Sequence, residues 1–249
     1  MKRVLVCVAY DGTNYSGWQL QENAPTIEGE LNRALSELHG ETIEVIGASR
    51  TDAGVHALKN MAVYDTNARM PGEKVSYALN TRLPEDIRIV WSKEVEADFH
   101  PRHMLTEKTY DYCIWNDEFM PPVKRLYRYQ VSKKLDIDAM RQAAKCLPGE
   151  HDFKSFCSVN TTAETTVRNL ISVEIIDNSP EITIRVKGNG FLYNMVRIIA
   201  GTLIDVGLNR RSPGSVETVL KALDRQAAGP TAPAKGLILK DFVFIDKKP

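Results

Sequence analysis

Apolar residues recur at the spacing of a helix face early in the chain. They are Ile27, Leu31, Ala34, Leu35 and Leu38. Residues three or four positions apart lie on one side of an α-helix, so this spacing predicts an amphipathic helix. Thr26 stands directly before the pattern, where its hydroxyl can cap the first turn, and Gly40 follows it, where a helix stops. We therefore expect a helix between Thr26 and Gly40.

Short apolar runs on either side of that helix predict β-strands. Residues 4–9 precede the helix and residues 42–46 follow it. Asp11 and Gly12 come directly after the first run, without a small-residue cleavage site, which indicates a first strand and not a signal peptide. Further strands are predicted over residues 61–64, 110–114, 170–176, 181–186 and 237–245.

The second half of the chain mixes strands with helices. The link Asp177-Asn178-Ser179-Pro180 is rich in turn residues and predicts a hairpin between the strands that flank it. Asp136 can cap one helix, and residues 191–206 form another. Ser212 with Pro213 behind it predicts the start of a third. Because the strands do not alternate regularly with helices, the pattern indicates an α+β fold with a largely antiparallel sheet.

Composition limits the function classes. With 43% hydrophobic and 26% charged residues, the chain is typical of a globular protein. Its longest apolar stretch, residues 191–208, contains Asn194, Arg197 and Asp205, which makes it too polar for a membrane span. The four cysteines are far apart and form no Cys-x-x-Cys pair. We therefore expect a cytoplasmic protein with reduced thiols, no membrane segment and no metal site.

A formal net charge of zero does not by itself favour a nucleic-acid partner. Basic residues nevertheless cluster along the chain, and clusters that converge on one surface would neutralise phosphates. A single cluster is more often a solvated face. The clusters are Arg102 with Lys108, Lys124 with Arg125 and Arg128, Lys133 with Lys134, and Arg210 with Arg211.

Asp52 is the first candidate for chemistry. It lies in a short polar loop between two strand-like segments, where a rigid sheet presents side chains to a ligand. Gly47 and Gly54 bracket the loop and permit a close approach of backbone or ligand. Two interpretations stay open at this point: a reacting carboxylate, or an Asx-type turn in which Asp52 bonds to nearby backbone amides.

Arg197 is the second candidate, because it interrupts an otherwise apolar helix. A buried guanidinium needs an anionic partner, since it cannot lose its proton. Asp205 is about two helical turns away, beyond an ordinary side-chain pair. We hypothesise that Arg197 pairs with Asp52 and keeps that carboxylate ionised. The alternative is that Arg197 extends to solvent from the edge of the helix.

Four segments, in order along the chain, resemble motifs of the tRNA pseudouridine synthase A family. Residues 47–57 contain the run Arg-Thr-Asp-Ala-Gly-Val-His that carries the catalytic aspartate in that family. The companion segments are residues 10–19, 108–112 and 190–197. The resemblance implies that Asp52 is the catalytic nucleophile and that Tyr110 lines the uracil pocket. It also implies that Arg197 and Arg50 bind the substrate.

The same resemblance implies two similar α+β lobes, residues 1–104 and 105–249, whose sheets line a central RNA-binding cleft. It implies isomerisation of uridine to pseudouridine at positions 38, 39 and 40 of the tRNA anticodon stem-loop, without a cofactor, by a homodimer. Asp52 would act by attack on uracil C6, by attack on ribose C1′ or by removal of the C2′ proton, and its spacing does not distinguish these routes.

Three alternatives to this function are open. The first is an RNA-binding protein of the same fold that performs no chemistry, and the second is a synthase that acts at other tRNA positions. The third and weakest is a carboxylate glycosidase, which needs a second catalytic carboxylate that the loop around Asp52 lacks.

Overall fold

The computed structural model describes residues 1–159, 161 and 163–245. The chain folds into two compact units. Unit 1 contains residues 1–105 and the described residues from 239 onward. Unit 2 contains residues 106–238. The sequence grouping places the last strand in the second lobe, whereas contacts in the structure place most of that strand in unit 1.

The residues that the structure describes form ten strands and five α-helices, besides five short 3-10 helices. The strands are β1 (Lys2–Tyr10), β2 (Ile46–Gly47), β3 (His56–Thr66), β4 (Ile87–Val95), β5 (Thr106–Trp115), β6 (Tyr129–Gln130), β7 (Gly149–Asp152), β8 (Val167–Asn178), β9 (Glu181–Gly188) and β10 (Leu237–Phe244). The helices are α1 (Ile27–His39), α2 (Gly72–Leu79), α3 (Ile137–Ala144), α4 (Met195–Gly207) and α5 (Ser215–Ala222). The predicted α+β class with mainly antiparallel pairing is confirmed.

The sheet of unit 1 has the strand order β4-β1-β3-β10, and β2 pairs with β3. β1 runs antiparallel to both β3 and β4. A hydrophobic cluster occupies one face of this sheet, because alternate residues of a strand point to the same side. The buried members of the cluster are Leu5, Cys7, Met61, Val63 and Phe242. Phe242 explains why β10 belongs here: its side chain completes this core.

Helix α1 confirms the first prediction at both ends. The Thr26 hydroxyl accepts a hydrogen bond from the Gly29 amide at 3.2 Å. Gly40 has a φ of 69°, the left-handed conformation that closes many helices. Ile27, Leu31 and Leu35 are fully buried. Caps and periodicity are both local signals, which is why the sequence defines this helix from end to end.

The prediction of a strand over residues 42–46 is mostly wrong, because the strand in this region is only Ile46–Gly47. Two side chains of α1 bind the backbone amides that a strand would use. Ser36 Oγ accepts from the Ile43 amide at 2.9 Å, and Asn32 Oδ1 accepts from the Val45 amide at 2.9 Å. The apolar residues of this segment therefore pack in the core without a sheet ladder.

The sheet of unit 2 has the strand order β5-β9-β8-β7, and β6 pairs with β5 in parallel. β8 and β9 form the predicted hairpin, in which Asn178 is paired with Glu181 across the turn. Asp136 caps α3 as predicted, and its carboxylate accepts from the Ala139 amide at 2.9 Å. Both local predictions are confirmed.

Helices α4 and α5 begin later than the sequence predicts. α4 starts at Met195 instead of residue 191, because Asn194 adopts a left-handed conformation with φ of 60°. α5 starts at Ser215 instead of Pro213. The Ser215 amide and hydroxyl both donate to the Ser212 carbonyl, so residues 212–215 form a turn before the helix.

Candidate active site

The loop of residues 48–55 in unit 1, the Asp52 loop, is anchored through its backbone. The Ala48 amide donates to the Met61 carbonyl at 2.7 Å. Further along, the Trp18 amide donates to the Thr51 carbonyl at 3.0 Å, and the Gly54 amide donates to the Tyr15 carbonyl at 3.2 Å. Because these bonds reach both β3 and the segment after β1, the loop has a fixed path.

Buried polar side chains support the loop from below. The Tyr10 hydroxyl lies 2.7 Å from Thr51 Oγ1. The Asn60 side-chain amide donates to the Ser49 carbonyl at 3.0 Å and to the Tyr10 hydroxyl at 3.3 Å. Burial raises the pKa of Tyr10, so its phenol stays protonated. A satisfied buried network of this kind stabilises a single loop conformation.

Two glycines allow the segment after β1 to lie directly against the Asp52 loop. A Cβ on Gly12 would be 2.0 Å from the Val55 carbonyl oxygen. A Cβ on Gly17 would be 2.7 Å from the Thr51 carbonyl oxygen, and Gly17 also has a φ of +96°. No side chain fits at either position without a backbone shift. This contact packs the segment of residues 10–19 against that of residues 47–57.

His56 has a structural place at the end of the loop. Its Nδ1 is 3.1 Å from the Gly12 backbone nitrogen and 3.0 Å from the carboxylate of Asp11. The ring is 4% exposed, so it is nearly closed to solvent. The position ties the start of β3 to the segment after β1.

Asp52 itself is half-buried. Its carbonyl accepts a hydrogen bond from the Val55 amide at 3.1 Å, and Gly54 has a φ of +75°. A backbone hydrogen bond and a left-handed glycine are sufficient to make this turn. The turn therefore has a backbone explanation that does not require the Asp52 carboxylate.

Arg50 is exposed on the same loop, and a second arginine lies close to it. Arg102 Nε donates to the Gly47 carbonyl at 2.8 Å. Burial and the charge of Arg50 lower the pKa of Arg102. The sequence offered no local signal for this pair, because the two arginines are far apart along the chain. The sequence places Arg102 in one basic cluster with Lys108, but Arg102 lies in unit 1 and Lys108 in unit 2.

Tyr110 lies on β5 in unit 2, and only 7% of its surface is exposed. Phe191 packs edge-on against its ring, with centroids 5.0 Å apart and an interplanar angle of 80°. Tyr112 shares the same strand face but is fully buried. Its hydroxyl donates to the Pro233 carbonyl at 2.9 Å. The structure thus assigns the Tyr112 hydroxyl a partner in the loop that precedes β10.

Arg197 is half-buried, whereas the other residues of α4 are buried. Its Nε donates to the Ala232 carbonyl at 2.8 Å, and its Nη1 donates to Asn194 Oδ1 at 2.7 Å. Asp205, the other acid considered for Arg197, meets different arginines. Arg210 Nη1 lies 3.1 Å and Arg211 Nε 3.8 Å from its carboxylate.

The basic clusters are partly neutralised by local carboxylates. Lys124 and Arg128 both bind Glu181, at 2.8 and 3.1 Å. In the ranges that the structure describes, His, Cys, Asp and Glu side chains form no group of three or more that could hold a metal ion. No helix within the described part of the chain combines the length and apolar character that crossing a membrane requires.

The candidate residues therefore fall in two places. Arg50 and Asp52 share one loop of unit 1, whereas Tyr110 and Arg197 belong to unit 2. In unit 2, the segment 191–194 contacts both candidates, since Phe191 packs on Tyr110 and Asn194 binds Arg197.

Comparisons with known proteins show the family of this chain. A family model described as tRNA pseudouridine synthase matches residues 6–103 and 143–244, which include Arg50, Asp52 and Arg197. Tyr110 lies between the two matched segments.

Curated relatives match along nearly the whole chain. "tRNA pseudouridine synthase A 2" of Clostridium tetani is 47% identical over 245 residues, covering 98% of this chain and 99% of the relative. "tRNA pseudouridine synthase A" of Thermoanaerobacter sp. is 45% identical over 244 residues, covering 98% and 100%. The protein of the same name from Brevibacillus brevis is also 45% identical with the same coverage. The chain belongs to the tRNA pseudouridine synthase family.

Proposed function

We propose that this chain isomerises uridine to pseudouridine in tRNA, at positions 38, 39 and 40 of the anticodon stem-loop. Membership of the family supports the reaction, and relatives over the full length carry the name tRNA pseudouridine synthase A. The observation that carries the proposal is the Asp52 loop, in which a half-buried carboxylate stands on a backbone fixed by bonds to Met61, Tyr15 and Trp18.

The reaction breaks the bond between ribose C1′ and uracil N1 and forms a bond between C1′ and C5. The C5 proton is released and N1 gains a proton, so the overall change is an isomerisation. Such a reaction requires an ionised carboxylate near the glycosidic bond and a pocket for a flipped nucleotide. We assign Asp52 as the nucleophile.

Tyr110 is proposed to line the uracil pocket. Its ring offers a surface for the base, and its hydroxyl is a group that can assist removal of the C5 proton. The edge-on contact with Phe191 supports this role, because it holds the Tyr110 ring in one orientation.

Arg50 and Arg197 are proposed to bind the substrate. Arg50 is exposed on the Asp52 loop, where its guanidinium can bind a phosphate of the flipped nucleotide or fill the space that the base leaves. The Arg197 stem lies in an apolar helix, and its Nε and Nη1 are held by Ala232 and Asn194. We also propose that the protein acts in the cytoplasm as a homodimer, as the family resemblance implies.

The direct test is release of tritium from C5 of uracil in an unmodified tRNA transcript. We expect release from a tRNA with uridines at positions 38, 39 and 40, and none when these uridines are replaced by cytidine. Release that persists after the replacement would show that the protein modifies uridines at other tRNA positions. Tight tRNA binding without any release would identify a non-catalytic RNA-binding protein.

A further inference from the structure

Lys108 shares a strand face with Tyr110, because residues two apart on β5 point to the same side. Across the sheet, Lys108 is paired with Gly188 of β9, and Gly188 is paired with Leu170 of β8. Gly188 has no side chain, and the Leu170 side chain fills that space, since a Cβ on Gly188 would be 2.8 Å from Leu170 Cδ2. Lys108 is the first residue of the segment 108–112 that resembles a family motif, and the proposed mechanism gives it no role.

Phe191 also lies close to Gly188, although the Leu170 side chain is nearer. A Cβ on Gly188 would be 3.3 Å from Phe191 Cζ, so this ring lies close to the strand backbone. Phe191 also packs edge-on against Tyr110. The aromatic pair and Lys108 are therefore neighbours on one face of the unit 2 sheet.

Arg168 of β8 provides a second cation at the same place. A Cβ on Gly190 would be 3.5 Å from Arg168 Cδ and 3.6 Å from Arg168 Nε, so the side chain runs alongside Gly190. Its Nη1 donates to the carbonyls of Thr165 and Val167, at 2.8 and 2.6 Å. Within the described residues Arg168 makes no ion pair, and its Nε and Nη2 make no hydrogen bond.

The charge of Arg168 acts on Lys108. Burial lowers the pKa of Lys108 to about 8, and the charge of Arg168 contributes to the decrease. Burial also lowers the pKa of Arg168, and the nearby Cys157 thiol acts in the opposite direction. Lys187 and Glu107 form an ion pair at 2.5 Å, and they lie on the opposite face because they neighbour Gly188 and Lys108 in sequence. Tyr110 and Tyr112 are the other titratable groups of β5 on the Lys108 face.

We propose that Lys108 and Arg168 form a phosphate subsite that binds the backbone of the RNA strand beside the Tyr110–Phe191 pair. The subsite rests on the proposed function, because it takes its ligand from the tRNA substrate. A phosphate diester supplies the anion that two adjacent cations favour, and Arg168 presents the planar guanidinium fork that binds phosphate oxygens. In RNA the phosphate is linked to a base, which matches a cation pair next to aromatic rings.

The first experiment measures the salt dependence of tRNA binding. Lys108→Met removes the charge and keeps the apolar stem. Asp52→Asn is included in every protein, so that turnover does not change the RNA. We expect Lys108→Met and Arg168→Met each to lower affinity roughly three- to tenfold, and to reduce the slope of log affinity against log salt by roughly 0.7 to 0.9. Lys187→Met, on the opposite face of the sheet, is the matched control and should leave both quantities unchanged.

The second experiment uses pH. Below pH 7 the Lys108 ammonium is protonated and binds phosphate, whereas above pH 9 the amine is neutral, so affinity should fall across this range. Lys108→Arg keeps its charge at every pH in the range. We therefore expect the decrease in affinity to be smaller for Lys108→Arg than for the parent. RNA bases also lose protons at alkaline pH, and the difference between the two proteins removes that contribution.

The outcomes separate the subsite from the proposed function. If the unsubstituted chain releases C5 tritium but Lys108→Met retains the parent affinity and salt slope, the subsite does not exist. A Lys108→Met protein that binds normally and turns over slowly would also overturn it, and would assign Lys108 to the chemistry. If the unsubstituted chain releases no tritium, the proposed function fails, whatever the binding data.

Discussion

The two units hold their candidate residues by different means. In unit 1, Asp52 lies on a loop that is fixed by backbone hydrogen bonds and by two glycines that permit close contact. In unit 2, Tyr110 lies on a regular strand and Arg197 in a regular helix, and side chains such as Phe191 and Asn194 set their orientation. The Asp52 loop should therefore be sensitive to changes in backbone shape, and the unit 2 residues to changes in neighbouring side chains.

Gly17→Ala should give the largest effect on stability. The new methyl group would collide with the Thr51 carbonyl and force a left-handed φ on alanine. Overpacking and backbone strain together should cost about 3 kcal/mol of unfolding free energy. The measurement is urea denaturation of the variant beside two controls.

The controls separate strain from collision. Gly40→Ala meets nothing within 4 Å but has a φ of +69°, so it should cost only about 1 kcal/mol. Gly214→Ala has open space and a helical backbone, so it should be neutral or slightly stabilising. If Gly17→Ala is as stable as Gly214→Ala, the close contact under the Asp52 loop is not rigid.

Arg197→Met tests the hypothesis that Arg197 keeps Asp52 ionised, and it should slow turnover. A nearby guanidinium lowers the pKa of a carboxyl, so its removal should move the acid limb of the pH–rate profile upward by about 1 to 3 pH units. Arg197→Lys keeps the charge and should shift the limb less. An Arg197→Met protein with the normal profile would contradict the hypothesis.

Asn60→Ala tests the side-chain support of the loop in unit 1. It leaves the buried Ser49 carbonyl without its donor, which should cost about 2 kcal/mol. Because the Asp52 loop loses the hydrogen bond from Asn60 to the Ser49 carbonyl, single-turnover rates should fall more than tRNA affinity. Equal losses of rate and affinity would indicate general unfolding and no specific effect on the loop.

Phe191→Leu should give the smallest effect. The strand that carries Tyr110 remains in place, and only the edge-on contact is lost, which is worth about 1 kcal/mol. We expect a several-fold decrease in kcat/KM with little change in stability beyond that amount. Unchanged kinetics would show that the Tyr110 ring does not depend on Phe191 for its orientation.

The sequence predicted those parts of the fold whose signals are local. α1 has its cap, its apolar face and its terminal glycine within one short segment, and the β8–β9 hairpin has its turn residues between its strands. The strand over residues 42–46 failed because Ser36 and Asn32 of α1 bind its amides, and no pattern within the segment reveals that competition. The late start of α4 likewise depends on the left-handed Asn194.

The candidate site divides in the same way. Arg50 and Asp52 are neighbours in sequence, so one motif identified both. Arg102 and Arg168 gave no such signal, because each reaches its place through the pairing and turns of distant segments. The contacts by which Tyr10 and Asn60 support the Asp52 loop were also visible only in the structure, although Tyr10 lies in the motif of residues 10–19.

The central claim is that the Asp52 carboxylate performs the chemistry, and its most direct test is single-turnover C5 tritium release by Asp52→Asn. The amide has nearly the same shape but is neither a nucleophile nor a useful base. Asp241→Asn is the control, because Asp241 is a unit 1 aspartate in a half-exposed pair with Lys59. We predict that Asp52→Asn loses release by several orders of magnitude while tRNA affinity stays within about tenfold, and that Asp241→Asn keeps both. Retained release by Asp52→Asn would contradict the account.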